Sequence, residues 1–214
     1  MTESGFLNRA TPDLDYVVYV PKGLGAKGLP TILFLHGAGE CGSDGLRQTL
    51  IGLCHAVRSD CARWPFLIVA PQKRDTQALW ASYADELDAM LGQVESEFAP
   101  APRRRYITGL SQGGRGTFDL ATRLRWRFAA AAPVCGWTEP DAAAERLAGL
   151  PLWAFHGDQD IVVPYSSGRD LVGLLQAKGS EARFTLYQGV WHNSLDDAYL
   201  KSDLPSWFLA HRSA

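Results

Sequence analysis

No apolar run in this sequence is long enough to span a bilayer. The opening stretch, "MTESGFLNRATPDLDYVVYV", has no basic segment followed by an apolar one, so no signal peptide is expected. An excess of either charge is also missing: 21 Lys and Arg stand against 23 Asp and Glu, a formal net charge of −2. That balance argues against a surface for nucleic acid or anionic lipid. The one basic cluster, "RRR" at 103–105, follows "APAP" and reads as a solvated strand entrance. Cysteine is sparse. Cys41, Cys54, Cys61 and Cys135 form no CxxC pair and have no histidine at zinc-finger spacing, so no metal site is expected. The thiols are expected to be free in a reducing compartment, with a Cys41–Cys61 or Cys54–Cys61 bridge as the alternative for an exported chain. These absences lead to the expectation of a cytoplasmic protein with no metal, no cofactor, no nucleic-acid partner and no membrane association. They say nothing of oligomeric state.

What is present is a regular alternation of short apolar runs and amphipathic segments. "YVVYV" (16–20) and "TILFLHG" (31–37) read as strands close enough to pair as a hairpin. A helix is expected around 45–57, then the strand "FLIVAPQ" (66–72). Leu87, Met90, Leu91, Val94 and Phe98 recur at helical spacing and predict a helix over 84–98. "RRYITGL" precedes a helix at about 112–124. "FAAAAPVCG" (128–136), a short helix at 141–148, "LWAFHG" (152–157), a helix at 166–177, "ARFTLYQG" (182–189) and a C-terminal helix near "WFLAHR" follow. Such alternation with near-continuous apolar strands predicts an α/β fold, a mostly parallel central sheet covered by helices on both faces. With no repeat or linker in view, one domain over 1–214 is expected. Ligands of such sheets sit beyond the carboxyl ends of the strands, so chemistry belongs just after those runs.

At one of these ends "GLSQG" (109–113) fits the G-x-S-x-G nucleophile elbow, with a strand-like run before it and a helical run after. Ser111 is the candidate nucleophile, and a serine hydroxyl needs a base to remove its proton. In sheets built around this elbow the partners follow in the order serine, acid, histidine. Of the five histidines only His192 and His211 lie late enough, and His211 falls on the C-terminal helix. His192, in a loop beyond a strand end, is the candidate base. "HGDQDIVVP" offers Asp158 and Asp160 as the acid. Asp160 is favoured because the apolar pair after it could anchor it against the core, whereas Asp158 suits local turn hydrogen bonds. Asp196 and Asp197 follow the histidine and read as a solvated helix start. For the oxyanion, the N–H of Gln112 at its helix start and that of Ala38 in the glycine-rich "LHGAGECG" are the candidate donors. His36 and Glu40 read as braces of that loop.

Together, "LHGAGECGSDG", "GLSQGGRGTFDLA", "PVCGW", "FHGDQDIVVP" and "VWHNSLDDAY" resemble the α/β-hydrolase superfamily over about residues 16 to 210. The likeness is nearest to its small phospholipase/carboxylesterase and dienelactone-hydrolase-like esterases, including polyhydroxybutyrate-depolymerase and feruloyl-esterase relatives. Position by position, the resemblance implies Ser111 as nucleophile, Asp160 as acid, His192 as base, and Ala38 and Gln112 as oxyanion donors. Dienelactone hydrolases proper use a cysteine nucleophile; Ser111 in that place argues against their specific activity. No insertion between 128–136 and 152–157 is long enough for a lid domain, which suits a small or extended ester substrate. Trp80, Trp137 and Trp191 each lie near a strand end and could line an acyl or aryl pocket. The expectation is a carboxylic ester hydrolase acting through an acyl-enzyme. A peptidase or an acyltransferase/perhydrolase with the same triad, or a ligand-binding module on this fold, are the alternatives.

Overall fold

The structure, a computed structural model, describes residues 4–214; the first three residues of the expected 1–214 domain lie outside the described residues. Eight strands form one sheet: β1 (Gly5–Ala10), β2 (Asp15–Val20), β3 (Thr31–Leu35), β4 (Leu67–Gln72), β5 (Arg105–Leu110), β6 (Ala130–Val134), β7 (Leu152–Gly157) and β8 (Ala182–Tyr187). Their spatial order is β1-β2-β4-β3-β5-β6-β7-β8. Strands β4, β3, β5, β6, β7 and β8 run parallel, so their carboxyl ends share one edge. The helices are α1 (Gly52–Ser59), α2 (Ala84–Phe98), α3 (Gln112–Leu120), α4 (Pro140–Leu147), α5 (Ser166–Ala177) and α6 (Leu204–Ala210).

The two-residue period of the strands sorts the core into two layers. Leu33, Leu35, Val69 and Ile107 point to one face, where they meet Leu87, Met90, Leu91 and Val94 of α2 together with Phe118 of α3 and Leu171 of α5. Ile32, Phe34, Ile68 and Tyr106 point to the other and meet Leu53 and Val57 of α1 and Leu204 and Phe208 of α6. Each such buried side chain contributes about 1.5–3 kcal/mol relative to exposure. The helices at 84–98 and 166–177 and the strand at 152–157 fall where the sequence puts them.

The expected hairpin of 16–20 with 31–37 does not form. Strand β2 pairs antiparallel with β1 on one side and with β4 on the other. A glycine- and proline-rich connection over 21–30 is too long for a tight turn and carries the chain past β4 to β3. The helix expected around 45–57 is split. A 3-10 turn at Arg47–Thr49 precedes α1, because Ile51 between them is extended and packs against the core. The "RRR" cluster is only partly solvated: Arg105 pairs with Glu95 at 2.7 Å and its guanidinium lies 4.5 Å from the Trp126 ring. Between β6 and β7 the chain adds only α4, so no large lid domain covers the carboxyl edge. All four cysteines are free thiols. No helix among the described residues is long and apolar enough to cross a membrane.

Candidate active site

Ser111 is the single residue between β5 and α3, at φ 55 and ψ −115. Its N–H donates to the Val134 carbonyl at 3.0 Å, and its own carbonyl accepts the Arg115 N–H at 2.9 Å, opening the helix. The flanking glycines are steric requirements. A Cβ on Gly113 would lie 1.9 Å from the Leu35 carbonyl oxygen, and one on Gly109 would lie 2.4 Å from that of Gly113. Only backbone stripped of side chains fits this tightly, and the turn lifts the Ser111 side chain onto the carboxyl edge.

His192 reaches that side chain from the loop after β8, its Nε2 3.0 Å from Ser111 Oγ. On the far side of the ring, Nδ1 lies 2.7 Å from Asp160 Oδ2. A carboxylate can only accept, so Nδ1 carries the proton and Nε2 is left to accept from the serine hydroxyl. The loop holding Asp160 is tied to the histidine loop by main chain, with Gln159 N–H donating to the Val190 carbonyl at 2.9 Å. Asp158 takes part by accepting the Gly189 N–H at 2.7 Å, a bond across the two loops rather than a local turn bond.

The expected anchoring of Asp160 by the apolar pair after it is not found: Ile161 and Val162 are 80% and 65% exposed. Instead, Asp160 Oδ1 accepts the N–H groups of Val162 and Val163, each at 2.9 Å. Burial is the largest influence on this carboxyl and pushes it up. The Val163 N–H, His192 and the Val162 N–H together outweigh it and hold the group below the usual carboxylate range. Asp160 is therefore ionised where the serine must be activated. His211 directly follows α6, its ring facing the Trp207 carbonyl and Glu181, and Asp197 pairs with Lys201 at 2.6 Å. Neither joins the cluster.

The Ala38 N–H has no acceptor among the described residues, and the Gln112 N–H is the first of α3, a donor that a helix start leaves without an intrahelical partner. Two braces hold the Ala38 loop, as expected. Glu40 Oε2 accepts the Gly37 N–H at 2.9 Å. His36 Nε2 accepts the Lys73 N–H at 3.1 Å, so its Nδ1–H donates to the Gly37 carbonyl at 2.6 Å. Burial lowers the His36 pKa to about 4, against the opposing pull of the Gly37 bond, and keeps the ring neutral. The Gln112 side chain also ties down the site's edge, donating from Nε2 to the Thr76 carbonyl at 2.9 Å.

A cleft of about 540 Å³ opens over Ser111, with Ala38, Gln112 and Trp137 among its walls. Thr138, Val162, Val163, Pro164 and the first residues of α5, Ser166 and Ser167, complete it; these escaped the sequence reading, and their one signal was a place just after a strand end. Trp137 lines the cleft as expected. Trp80 does not: it is fully buried, and its Nε1–H donates to the His36 carbonyl at 2.9 Å. Its ring packs against Gly116 of α3 and stands edge-on to the His36 ring, 4.9 Å between centroids, so it fills the core rather than the cleft. Trp191 is 55% exposed and stands beside His192 outside the cleft wall. A second histidine was also missed: His156 Nε2 lies 3.2 Å from Asp160 Oδ2.

The model of the dienelactone hydrolase family matches residues 69–200. Among solved structures, a thermostable esterase superposes with a TM-score of 0.85 at 26% identity, covering 97% of this chain and 62% of that one. A feruloyl esterase module from Clostridium thermocellum, solved with sinapinate, gives 0.74 at 17% identity over 95% of this chain and 87% of that one, a likeness of fold. An uncharacterized secreted protein from Arthroderma benhamiae is 24% identical over 209 residues, 77% of this chain and 21% of that protein. This chain thus spans about a fifth of the fungal protein and under two thirds of the thermostable esterase. The fold is that of the α/β-hydrolases. The expectation of a cytoplasmic protein draws no support from the fungal relative, which is secreted.

Proposed function

The chain belongs to the dienelactone hydrolase family, and from that premise we propose that it is a serine hydrolase cleaving small carboxylic esters through an acyl-enzyme. One observation carries the reading: the unbroken path from Ser111 Oγ through His192 to the ionised Asp160. In this mechanism His192 takes the Ser111 proton as Oγ attacks the ester carbonyl. The N–H groups of Ala38 and Gln112 receive the developing oxyanion, and Asp160 stabilises the imidazolium. His192 then protonates the leaving alcohol, and water, activated by the same ring, releases the acid. No metal or cofactor takes part.

The cleft supports an apolar acyl group of modest size. Its volume of about 540 Å³ lies within the range of small-molecule pockets, and Trp137, Val163 and Pro164 supply apolar walls. Serine where dienelactone hydrolases proper use a cysteine favours esters broadly over a dienelactone. The test is labelling with a fluorophosphonate followed by peptide mapping, alongside p-nitrophenyl esters and peptide anilides. Adduct on Ser111 and turnover of the esters alone is expected. Modification elsewhere, or none, refutes the triad; faster cleavage of anilides makes it a peptidase.

A further inference from the structure

We propose that His156 is a positioning residue for the catalytic acid, a second imidazole that holds the Asp160 carboxylate for His192; this inference rests on the triad reading above. His156 is the penultimate residue of β7 and is buried, so its side chain touches neither solvent nor the cleft. Its Nε2 faces two groups at once: the Val163 carbonyl at 2.9 Å and Asp160 Oδ2 at 3.2 Å. A carbonyl can only accept, so Nε2 carries the proton and donates to Val163, with the Asp160 carboxylate within ion-pair distance of the same N–H.

The consequence is geometric. Asp160 Oδ1 is saturated by the Val162 and Val163 N–H groups, while Oδ2 accepts from His192 Nδ1 and lies 3.2 Å from His156 Nε2. Rotation of the carboxylate that improved one of these bonds would break another. The same Nε2–H ties Val163 back to the strand, closing the turn over 157–163 that carries the acid. Charge matters as well. The titratable groups facing His156 are Asp160 and His192, and burial, the largest influence on its pKa, holds His156 below the usual histidine value. A neutral N–H beside Oδ2 favours its position without cancelling the negative charge that the His192 imidazolium needs during turnover; a lysine or arginine there would compete for it.

Three variants separate positioning from packing. His156→Gln can return an amide N–H near the Nε2 position, His156→Asn keeps polarity but is too short, and His156→Phe fills the volume without a donor. Expected kcat values are within about 3-fold of the unsubstituted protein for His156→Gln and about 10- to 100-fold lower for the other two. KM should stay within about 2-fold, since the residue lies outside the cleft. If His156→Phe does not fold, the Gln and Asn pair makes the same comparison. In an Asp160→Asn background His156→Phe should slow fluorophosphonate labelling no further, because the two residues act as a unit. The downfield proton resonance between His192 and Asp160 gives a readout that needs no turnover. It should persist in His156→Gln and be lost in His156→Asn, so a failure of the esterase reading is distinguishable from a failure here. Unchanged kcat and resonance in His156→Asn, a Gln variant as impaired as the Asn one, or additive effects with Asp160→Asn would overturn the proposal.

Discussion

Ser111 carries backbone strain that can be measured with two substitutions. At φ 55 and ψ −115 an L side chain crowds its own backbone, whereas glycine enters the region freely. A residue held there costs on the order of 1–3 kcal/mol. Ser111→Ala removes the hydroxyl and keeps the strain; Ser111→Gly removes both. Both lose the bond to His192 equally, so that interaction cancels when the two variants are compared. Against the relief stands the greater freedom of glycine in the unfolded chain, about 0.5–1 kcal/mol. The net difference is about 1 kcal/mol in favour of glycine, or roughly 2–4 °C in Tm for a chain of this size. At an ordinary helix or strand position the sign would be the opposite, since glycine there is the weaker residue.

The assay is paired calorimetry of the two variants in one buffer, with fluorophosphonate labelling to verify that both have lost the nucleophile. Ser111→Gly melting above Ser111→Ala supports a turn kept strained so that its hydroxyl faces His192. An alanine variant that melts as high as the glycine variant, or higher, would refute that account of the elbow.

Two further predictions concern the loops around it. Because the folded His36 has a pKa of about 4 against an ordinary 6.5, the folded state binds fewer protons than the unfolded one between those values. Stability is therefore complete above about pH 6.5 and falls as the pH drops towards 4, by roughly 3 kcal/mol in all. Urea unfolding at about pH 7 and pH 4.5 should show this loss in the unsubstituted protein and a smaller one in His36→Gln; equal losses would remove His36 as the cause. In the acid loop, replacing Ile161 and Val162 together by serine should leave kcat within about 3-fold, since main-chain N–H groups hold Asp160. KM for long-chain p-nitrophenyl esters should rise several-fold, because Val162 lines the cleft and Ile161 adjoins it in sequence. A collapse of kcat would mean that those side chains anchor the acid after all.

What the sequence made legible was whatever its periodicity and order encode. Leu87, Met90, Leu91 and Val94 mark α2 by spacing alone, and their burial follows from it. His192 could be found by elimination because chain order restricts which histidine can meet Ser111. Strand β1 was invisible because "GFLNRA" has only two large apolar residues, and it is half-exposed at the sheet edge. Strand pairing was invisible for a different reason: an apolar run declares that a strand is buried, not which neighbour buries it. Thus β2 was matched to the next strand in sequence when its partners are β1, just before it, and β4, more than forty residues further on. Trp80 misled because nearness to a strand end does not say whether a side chain points into the cleft or into the core. The anchoring of Asp160 was illegible in principle, since N–H groups are present at almost every residue and leave no mark in the sequence.

That last point bears on how such a site can change. Ser111 is seated by glycine backbone against the Leu35 carbonyl, and Asp160 is fixed by the N–H groups of Val162 and Val163. The histidine loop is joined to the acid loop through Gln159 N–H and the Val190 carbonyl. The supports of the acid and histidine loops depend on chain path rather than side-chain identity, so substitution at many of the same positions leaves them standing, whereas Gly109 and Gly113 admit no side chain. Val162 illustrates the separation: its main chain holds the acid while its side chain, 65% exposed, lines the cleft. Trp137 and Val163 are similarly placed to set acyl preference without touching the proton path. His36, Glu40, Asp158 and, on the inference above, His156 are further exceptions, because their side chains do the bracing. Substitution should accordingly retune the substrate at the first group and disable the chemistry at the second.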